Sequence, residues 1–132
     1  MTTSDLPAEG QPDVSTEGTE APFDDVITLS TSTGDNGEIT VTVVGEVDTF
    51  TAPVLRSSLD TQLEQQPREL VIDLSGVQFL GSAGLAVLVE TQKSSRAREV
   101  ALRLIATTRA VTRPLEVTGL IDLFTIADST AR

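Results

Sequence analysis

The amino-acid sequence predicts a small α/β domain in which helices pack on a mixed β-sheet, with the element order β-β-α-β-α-β-α-β. Three patterns indicate this fold class. Two runs of β-branched residues flank an Asn-Gly turn at Asn36 and Gly37, a helical pattern follows, and residues 69–74 are almost entirely apolar. Helical patterns then separate the remaining strand patterns. The length of 132 residues suits one domain with its own core.

Residues 1–25 are predicted to form a disordered acidic tail ahead of a domain at 26–132. The tail holds seven acidic residues and no basic one, and it shows no apolar periodicity. A segment of this composition cannot bury enough apolar surface to fold. A solubilising extension and an arm that binds a partner or accepts phosphate are both consistent with it.

The first half of the domain is predicted to be a β-hairpin followed by a helix. Residues 26–31 and 39–45 alternate β-branched with polar side chains on either side of the turn, as antiparallel strands do. A helix is predicted from about Ala52 to Gln65, with Thr51 available as its N-cap. Four apolar residues fall on one face of this helix: Val54, Leu55, Leu59 and Leu63.

The second half is predicted to alternate strands and helices. The run Glu69–Leu74 is predicted to be the central strand, buried on both faces. A second helix is predicted to begin near Ser82, and residues 100–106 and 123–127 are predicted to be the last two strands. A third helix is predicted to end at Gly119, which suits the left-handed position after a helix, with Pro114 in its first turn or at a kink.

Composition excludes several classes of function. The chain contains no Cys and no His, so it offers no thiolate nucleophile, no His-dependent triad and no zinc site of the usual kind. Its net charge is −11 and its only aromatic residues are four Phe, which is unsuited to direct contact with nucleic acid. No apolar run approaches the roughly 18 to 20 residues that span a bilayer, and the N-terminus lacks a signal-peptide pattern. We therefore expect a cytoplasmic protein that contacts no membrane.

Residues 75–85 carry the strongest indication of a functional site. Partner and ligand sites of α/β sheets lie beyond the carboxyl ends of strands, and this segment leaves the predicted central strand there to enter a helix. Ser82 is predicted to stand at the helix N-terminus, where free backbone N–H groups and the helix dipole favour a negative charge. A phosphate on its hydroxyl adds about −1.5 to −2 charges at that point. A serine in this position can also simply cap the helix.

Three segments, in this order along the chain, resemble the STAS domain of bacterial anti-sigma-factor antagonists. They are Gly45-Glu46-Val47-Asp48, the stretch from Asp73-Leu74-Ser75 to Phe79-Leu80-Gly81-Ser82-Ala83-Gly84-Leu85, and Leu115-Glu116-Val117-Thr118-Gly119-Leu120. The resemblance covers about Val26 to Ala127. It implies a sheet packed with helices, and the family's phosphorylatable serine at the start of the second helix maps onto Ser82.

The resemblance implies partner switching without catalysis by this chain. The unphosphorylated antagonist binds an anti-sigma factor with a histidine-kinase-like ATPase fold and frees the sigma factor. The anti-sigma factor then phosphorylates the serine, the complex dissociates, and a phosphatase resets the switch. The ATP and magnesium belong to the partner, so no cofactor, metal site or catalytic residue is expected here. The implied partner-binding residues are Asp48, Thr49, Ser75, Gly81, Ser82, Ala83 and Gly84.

Two other functions remain open on the sequence. The family commonly has Asp before the phosphoserine and Ser or Thr after it, whereas this chain has Gly81 and Ala83. That departure favours a STAS scaffold that is never phosphorylated, such as a stressosome component or a lipid-transport accessory subunit. A response-regulator receiver is a weaker alternative, because it needs clustered acids and a lysine near the last strand, whereas the only lysine is Lys93 in the second predicted helix.

Overall fold

A five-stranded sheet with three α-helices makes up residues 27–127, the part of the chain that the computed structural model describes. The strands are β1 Ile27–Thr33, β2 Glu38–Val47, β3 Glu69–Leu80, β4 Ala101–Ile105 and β5 Thr125–Ala127. The helices are α1 Ala52–Glu64, α2 Ser82–Ala97 and α3 Arg109–Val117, and a 3₁₀ turn spans Leu120–Leu123. The strand order across the sheet is β1-β2-β3-β4-β5. The predicted α/β class and element order are confirmed.

The sheet is mixed because its first connection is a hairpin and the later ones are helical. β1 and β2 pair antiparallel, and Ile27 lies opposite Gly45. The turn between them closes through the Gly34 N–H, which donates to the Glu38 carbonyl at 2.8 Å, and Gly37 takes a left-handed φ of 85°. The hairpin predicted from the Asn-Gly dipeptide is confirmed. The pairs β2–β3, β3–β4 and β4–β5 are all parallel.

β3 is the central strand and is buried on both faces, as predicted. Leu70, Val71, Ile72 and Leu74 are all at most 1% exposed. Successive residues of a strand point to opposite faces, so burial of consecutive residues means that both faces of β3 are covered at this level. Leu70 and Ile72 lie beside Leu102 and Leu104 of β4.

β3 is longer than the sequence indicated. The strand was predicted to end at Leu74 and to give way to a loop, but it continues to Leu80, so that prediction is wrong. Beyond Asp73, β4 no longer pairs with β3, whereas β2 keeps pairing with it as far as Val47 beside Leu80. Register shifts between Thr42 and Val44 and between Gly45 and Glu46 let the two strands stay paired. The partner strand, rather than the local sequence, therefore sets the length of β3.

Helix α1 follows the predicted apolar face with two corrections. Leu55, Leu59 and Leu63 are at most 1% exposed, whereas Val54 is 43% exposed and lies outside the core. Thr51 occupies the N-cap position, but its hydroxyl donates to the Glu46 carbonyl at 2.8 Å instead of capping the helix.

Helix α3 begins earlier than predicted. Its first residue is Arg109, so Pro114 lies inside the helix and not in its first turn. The buried Val111 and Leu115, one turn apart, pack into the core and outweigh the penalty of an internal proline. Gly119 takes the predicted left-handed conformation, with φ 77° and ψ 3°, and its N–H donates to the Glu116 carbonyl at 3.1 Å. The last strand is shorter than predicted because residues 120–123 form the 3₁₀ turn.

The predicted tail at residues 1–25 lies outside the described residues, as do Val26 and residues 128–132. Within residues 27–127, none of the helices combines the length and the apolar character needed to cross a membrane.

Candidate functional site

The site is built where β3 turns into α2. Leu80 ends the strand, Ser82 begins the helix, and Gly81 alone separates them. The Gly81 N–H donates to the Val47 carbonyl at 2.9 Å, and the Gly81 carbonyl accepts from the Leu85 N–H at 3.0 Å. One residue thus joins the ends of two strands to the first turn of the helix, which fixes the start of α2 at the carboxyl edge of the sheet.

Ser82 is exposed at this edge, and it is not the helix cap. Gly81 is the N-cap residue, with φ −91° and ψ −177°, and Ser82 is the first residue within the helix. The reading of Ser82 as a simple N-cap is therefore wrong. Among residues 27–127, no group forms a hydrogen bond with the Ser82 hydroxyl. The hydroxyl stands free at the positive end of the helix dipole.

Gly84 lets the helix approach the strands closely. It is buried, and a Cβ placed on it would lie 2.6 Å from Val47 Cγ1 and 2.7 Å from Leu80 Cδ1. Ordinary carbon contacts are about 3.5 to 4.0 Å. Any larger residue would therefore push the first turn of α2 away from the strand ends. Gly84 sets the position of Ser82 from inside the fold and is itself buried.

The loop after β2 lies at the same edge and is held by Asp48 and Thr51. Asp48 Oδ1 accepts from the N–H groups of Phe50 and Thr51, each at 3.0 Å. The fully buried Thr51 accepts from the Asp48 N–H at 2.9 Å through its hydroxyl, which also donates to Glu46. These bonds give the loop one conformation, in which Thr49 and Phe50 face outward.

Two exposed aromatic side chains lie at the ends of β2 and β3, Phe50 in the loop after β2 and Phe79 next to the last residue of β3. Phe50 is 79% exposed and Phe79 is 51% exposed. Phe79 lies beside Glu46 of β2, one residue before Leu80, so a ring and a carboxylate stand together at the rim. Exposed aromatic rings are typical of a protein-binding surface. Sequence reasoning missed both rings, although two of the four Phe in the chain border the junction.

The predicted site residues divide into three groups by position. Asp48, Thr49, Gly81, Ser82 and Ala83 come together at the carboxyl edge of β2 and β3. Gly84 lies beneath them, buried.

Ser75 stands apart from this edge, five residues before the end of β3, or about 16 Å along a strand. Its hydroxyl donates to Asp73 Oδ1 at 2.6 Å, and that oxygen also accepts from the Ser75 N–H. In the part of the chain described, no three acidic side chains cluster in a way that could hold a metal ion.

The chain belongs to the STAS domain family, which matches residues 28–132. The anti-sigma-B factor antagonist of Listeria monocytogenes is 34% identical to it over 100 residues, or 76% of this chain and 88% of the relative. The anti-sigma-F factor antagonist RsfB of Mycobacterium tuberculosis is 35% identical over 89 residues, or 67% of this chain and 72% of the relative.

A solved structure agrees with these relatives. The crystal structure of an anti-sigma factor antagonist from Mycobacterium paratuberculosis is 37% identical, with a TM-score of 0.75, and the match covers 85% of this chain and 92% of the other. All three proteins carry the name of one kind of regulator, an antagonist of an anti-sigma factor. The family assignment made from the sequence motifs is confirmed.

Proposed function

We propose that this chain is an anti-sigma-factor antagonist whose binding is switched by phosphorylation of Ser82. The observation that carries the proposal is the position of Ser82. Its hydroxyl is exposed and unbonded among the described residues, it stands at a helix N-terminus, and the exposed ring of Phe79 lies against the residue before it. The names of the relatives supply the class of partner, an anti-sigma factor.

The unphosphorylated surface suits a protein partner. Burying an exposed aromatic side chain at an interface contributes much of the affinity, and such rings are frequent binding hot spots. The Asp48 loop is fixed by bonds from backbone N–H groups to the Asp48 side chain, and the α2 start by backbone hydrogen bonds, so little conformational entropy is lost when a partner docks. The partner then dissociates from its sigma factor, which becomes free to direct transcription in the cytoplasm.

Phosphorylation of Ser82 weakens this complex by adding charge to a surface that must be desolvated. A phosphate carries about −1.5 to −2 charges. The residues on either side of Val47, whose carbonyl bonds the Gly81 N–H, are the acidic Glu46 and Asp48, so this strand end offers the phosphate no compensating positive charge. The helix N-terminus stabilises the phosphate in the free protein, while a docked partner must remove water from it. The switch therefore acts through electrostatics at the interface and needs no change of fold.

In this proposal the partner supplies the chemistry. The anti-sigma factor has a histidine-kinase-like ATPase fold and uses its own ATP and magnesium to phosphorylate Ser82, and a phosphatase removes the phosphate. The antagonist contributes an accessible hydroxyl and a docking surface, and it is not an enzyme.

A scaffold that is never phosphorylated is the second candidate. Gly81 favours it, because no acidic side chain precedes Ser82 to mark the loop for a kinase. Such a protein keeps the same docking surface and loses only the switch.

One experiment separates the two functions. The chain is mixed with purified anti-sigma factors from Mycobacterium tuberculosis and Listeria monocytogenes, with and without Mg-ATP, and binding and phosphate incorporation are measured together. The proposal predicts a complex without ATP, and with ATP a single phosphate that tandem mass spectrometry places on Ser82. Binding without phosphate incorporation supports the scaffold, and absence of binding by both the wild-type chain and Gly81→Asp contradicts both functions.

A further inference from the structure

The glycine at position 81 is not demanded by its backbone conformation. Its φ of −91° and ψ of −177° lie in the extended region that any residue adopts. As the N-cap of α2, this position favours Asp, Asn or Ser at least as well as Gly. Neither backbone geometry nor helix stability therefore explains why the residue next to Ser82 has no side chain.

The space beside Gly81 is taken by the ring of Phe79. A Cβ on Gly81 would lie 3.0 Å from Phe79 Cε2 and 3.3 Å from Phe79 Cζ, while the next atom, the Val47 carbonyl oxygen, is 3.7 Å away. The edge of the ring thus lies directly against the backbone of the residue that precedes Ser82. The missing side chain is what lets the ring lie there.

The contact can be relieved without disturbing the fold. The two close atoms are at the far end of a side chain that is 51% exposed, so the ring can swing outward when a side chain is added at residue 81. β3 and α2 stay in place because both are fixed by other contacts, including the hydrogen bond from Gly81 N–H to Val47. A change at residue 81 therefore alters the surface beside Ser82 far more than it alters stability.

We infer that Gly81 and Phe79 act as one specificity determinant, in which the absent side chain holds the ring against the junction and the ring selects the partner. This inference rests on the proposed function. The partner that fits has an apolar pocket for the edge of the Phe79 ring directly beside its contact with Ser82. A partner that recognises a carboxylate at residue 81 finds none and meets an apolar ring in its place.

A double-mutant cycle tests the inference. Affinity for the tighter-binding of the two purified anti-sigma factors is measured for wild type, Gly81→Ala, Phe79→Ala and the double variant. Phe79→Ala is expected to weaken binding about thirtyfold, the smallest loss that defines an interface hot spot. Gly81→Ala is expected to weaken binding at least about threefold with Phe79 present and less than about twofold with Phe79 removed, because only the ring transmits the change.

Two controls complete the cycle. Leu123→Ala removes another exposed apolar side chain, far from Ser82. The backbone carbonyl of Leu123 accepts a hydrogen bond from the side chain of Gln92, and Gln92 lies about 15 Å along α2 from Ser82. This variant is expected to bind like wild type. In the free protein, the proton resonances of Gly81 are expected to carry a ring-current shift in NMR spectra that Phe79→Leu abolishes.

The outcomes are distinguishable. If the wild-type chain binds, but Gly81→Ala weakens binding equally with Phe79 present and with Phe79 replaced, the inference is overturned and the proposed function stands. Absence of a ring-current shift at Gly81 has the same consequence. If neither anti-sigma factor binds the wild-type chain but one binds Gly81→Asp, the inference stands. If neither binds either chain, the proposed function fails and the inference fails with it.

Discussion

Replacing Gly84 by Ala is the sharpest test of how the fold positions Ser82. The added methyl would lie 2.6 Å from Val47 Cγ1 and 2.7 Å from Leu80 Cδ1, about 1 Å inside ordinary contact. Val47 is fully buried and Leu80 is 4% exposed, so neither can move aside freely. Overpacking of this kind destabilises by about 1 to 3 kcal/mol, and the better helix propensity of Ala returns at most about 1 kcal/mol. We predict a net loss of about 1 to 2 kcal/mol.

The assay is urea denaturation followed by far-UV circular dichroism, with thermal melting in parallel. Each kcal/mol lost lowers the Tm of a domain of about 100 residues by about 4 to 8 °C. Gly81→Ser is the matched control, because its Cβ meets the mobile end of Phe79 and Ser is at least as good an N-cap as Gly, and it is expected to be nearly neutral.

A double variant tests the named contact. Gly84→Ala combined with Val47→Ala removes one of the two atoms that the new methyl strikes and leaves Leu80 Cδ1, so its total loss is expected to fall short of the sum of the single losses by about 1 kcal/mol. If Gly84→Ala is as stable as wild type, the close packing of α2 on the strand ends does not hold Ser82 in place.

Two further substitutions test the local geometry. Asp48→Ala removes the oxygen that accepts from the Phe50 and Thr51 N–H groups, and it is expected to lower the free energy of unfolding by about 1 to 2 kcal/mol in urea titrations. Asp48→Asn keeps an acceptor oxygen and is expected to lose under half as much. Equal losses would mean that the charge matters and the hydrogen bonds do not. Gly119→Ala is expected to destabilise by about 1 kcal/mol in thermal melts, because the φ of residue 119 is 77°, which Ala rarely adopts. The added Cβ would meet no other atom within 4 Å, so the loss reports backbone conformation alone. A neutral result would contradict the left-handed helix end.

The sequence predicted those elements that local patterns determine. The Asn-Gly turn between alternating strands, the three buried leucines of α1 and the left-handed Gly119 each depend on a few neighbouring residues, and the structure confirms them. The extension of β3 to Leu80 depends instead on β2 and on its register shifts. Gly76 in the middle of that stretch is typical of a loop, and nothing local reveals that a strand continues through it.

The site was predicted in position but not in detail. Motif resemblance located Ser82 at the start of α2, and propensity suggested that it caps the helix. The cap is Gly81, because its N–H bond to Val47 draws it into an extended conformation at the strand end. Phe50 and Phe79 were not predicted as site residues, because large apolar side chains are usually buried. Their exposure follows from their positions at the sheet edge, which the sequence alone does not show.

The affinity of the Ser82 variants for an anti-sigma factor tests the central claim most directly. Since Gly81 is the cap, Ser82→Ala and Ser82→Asp are both expected to fold with stabilities within about 0.5 kcal/mol of wild type, so binding can be compared without a folding correction. Isothermal titration is predicted to give wild-type affinity for Ser82→Ala and at least about a tenfold loss for Ser82→Asp, because only the latter places a charge in the desolvated interface. Equal affinities for Ser82→Ala and Ser82→Asp, with no phosphate on the wild-type chain after incubation with Mg-ATP and the anti-sigma factor, would contradict the phosphorylation switch.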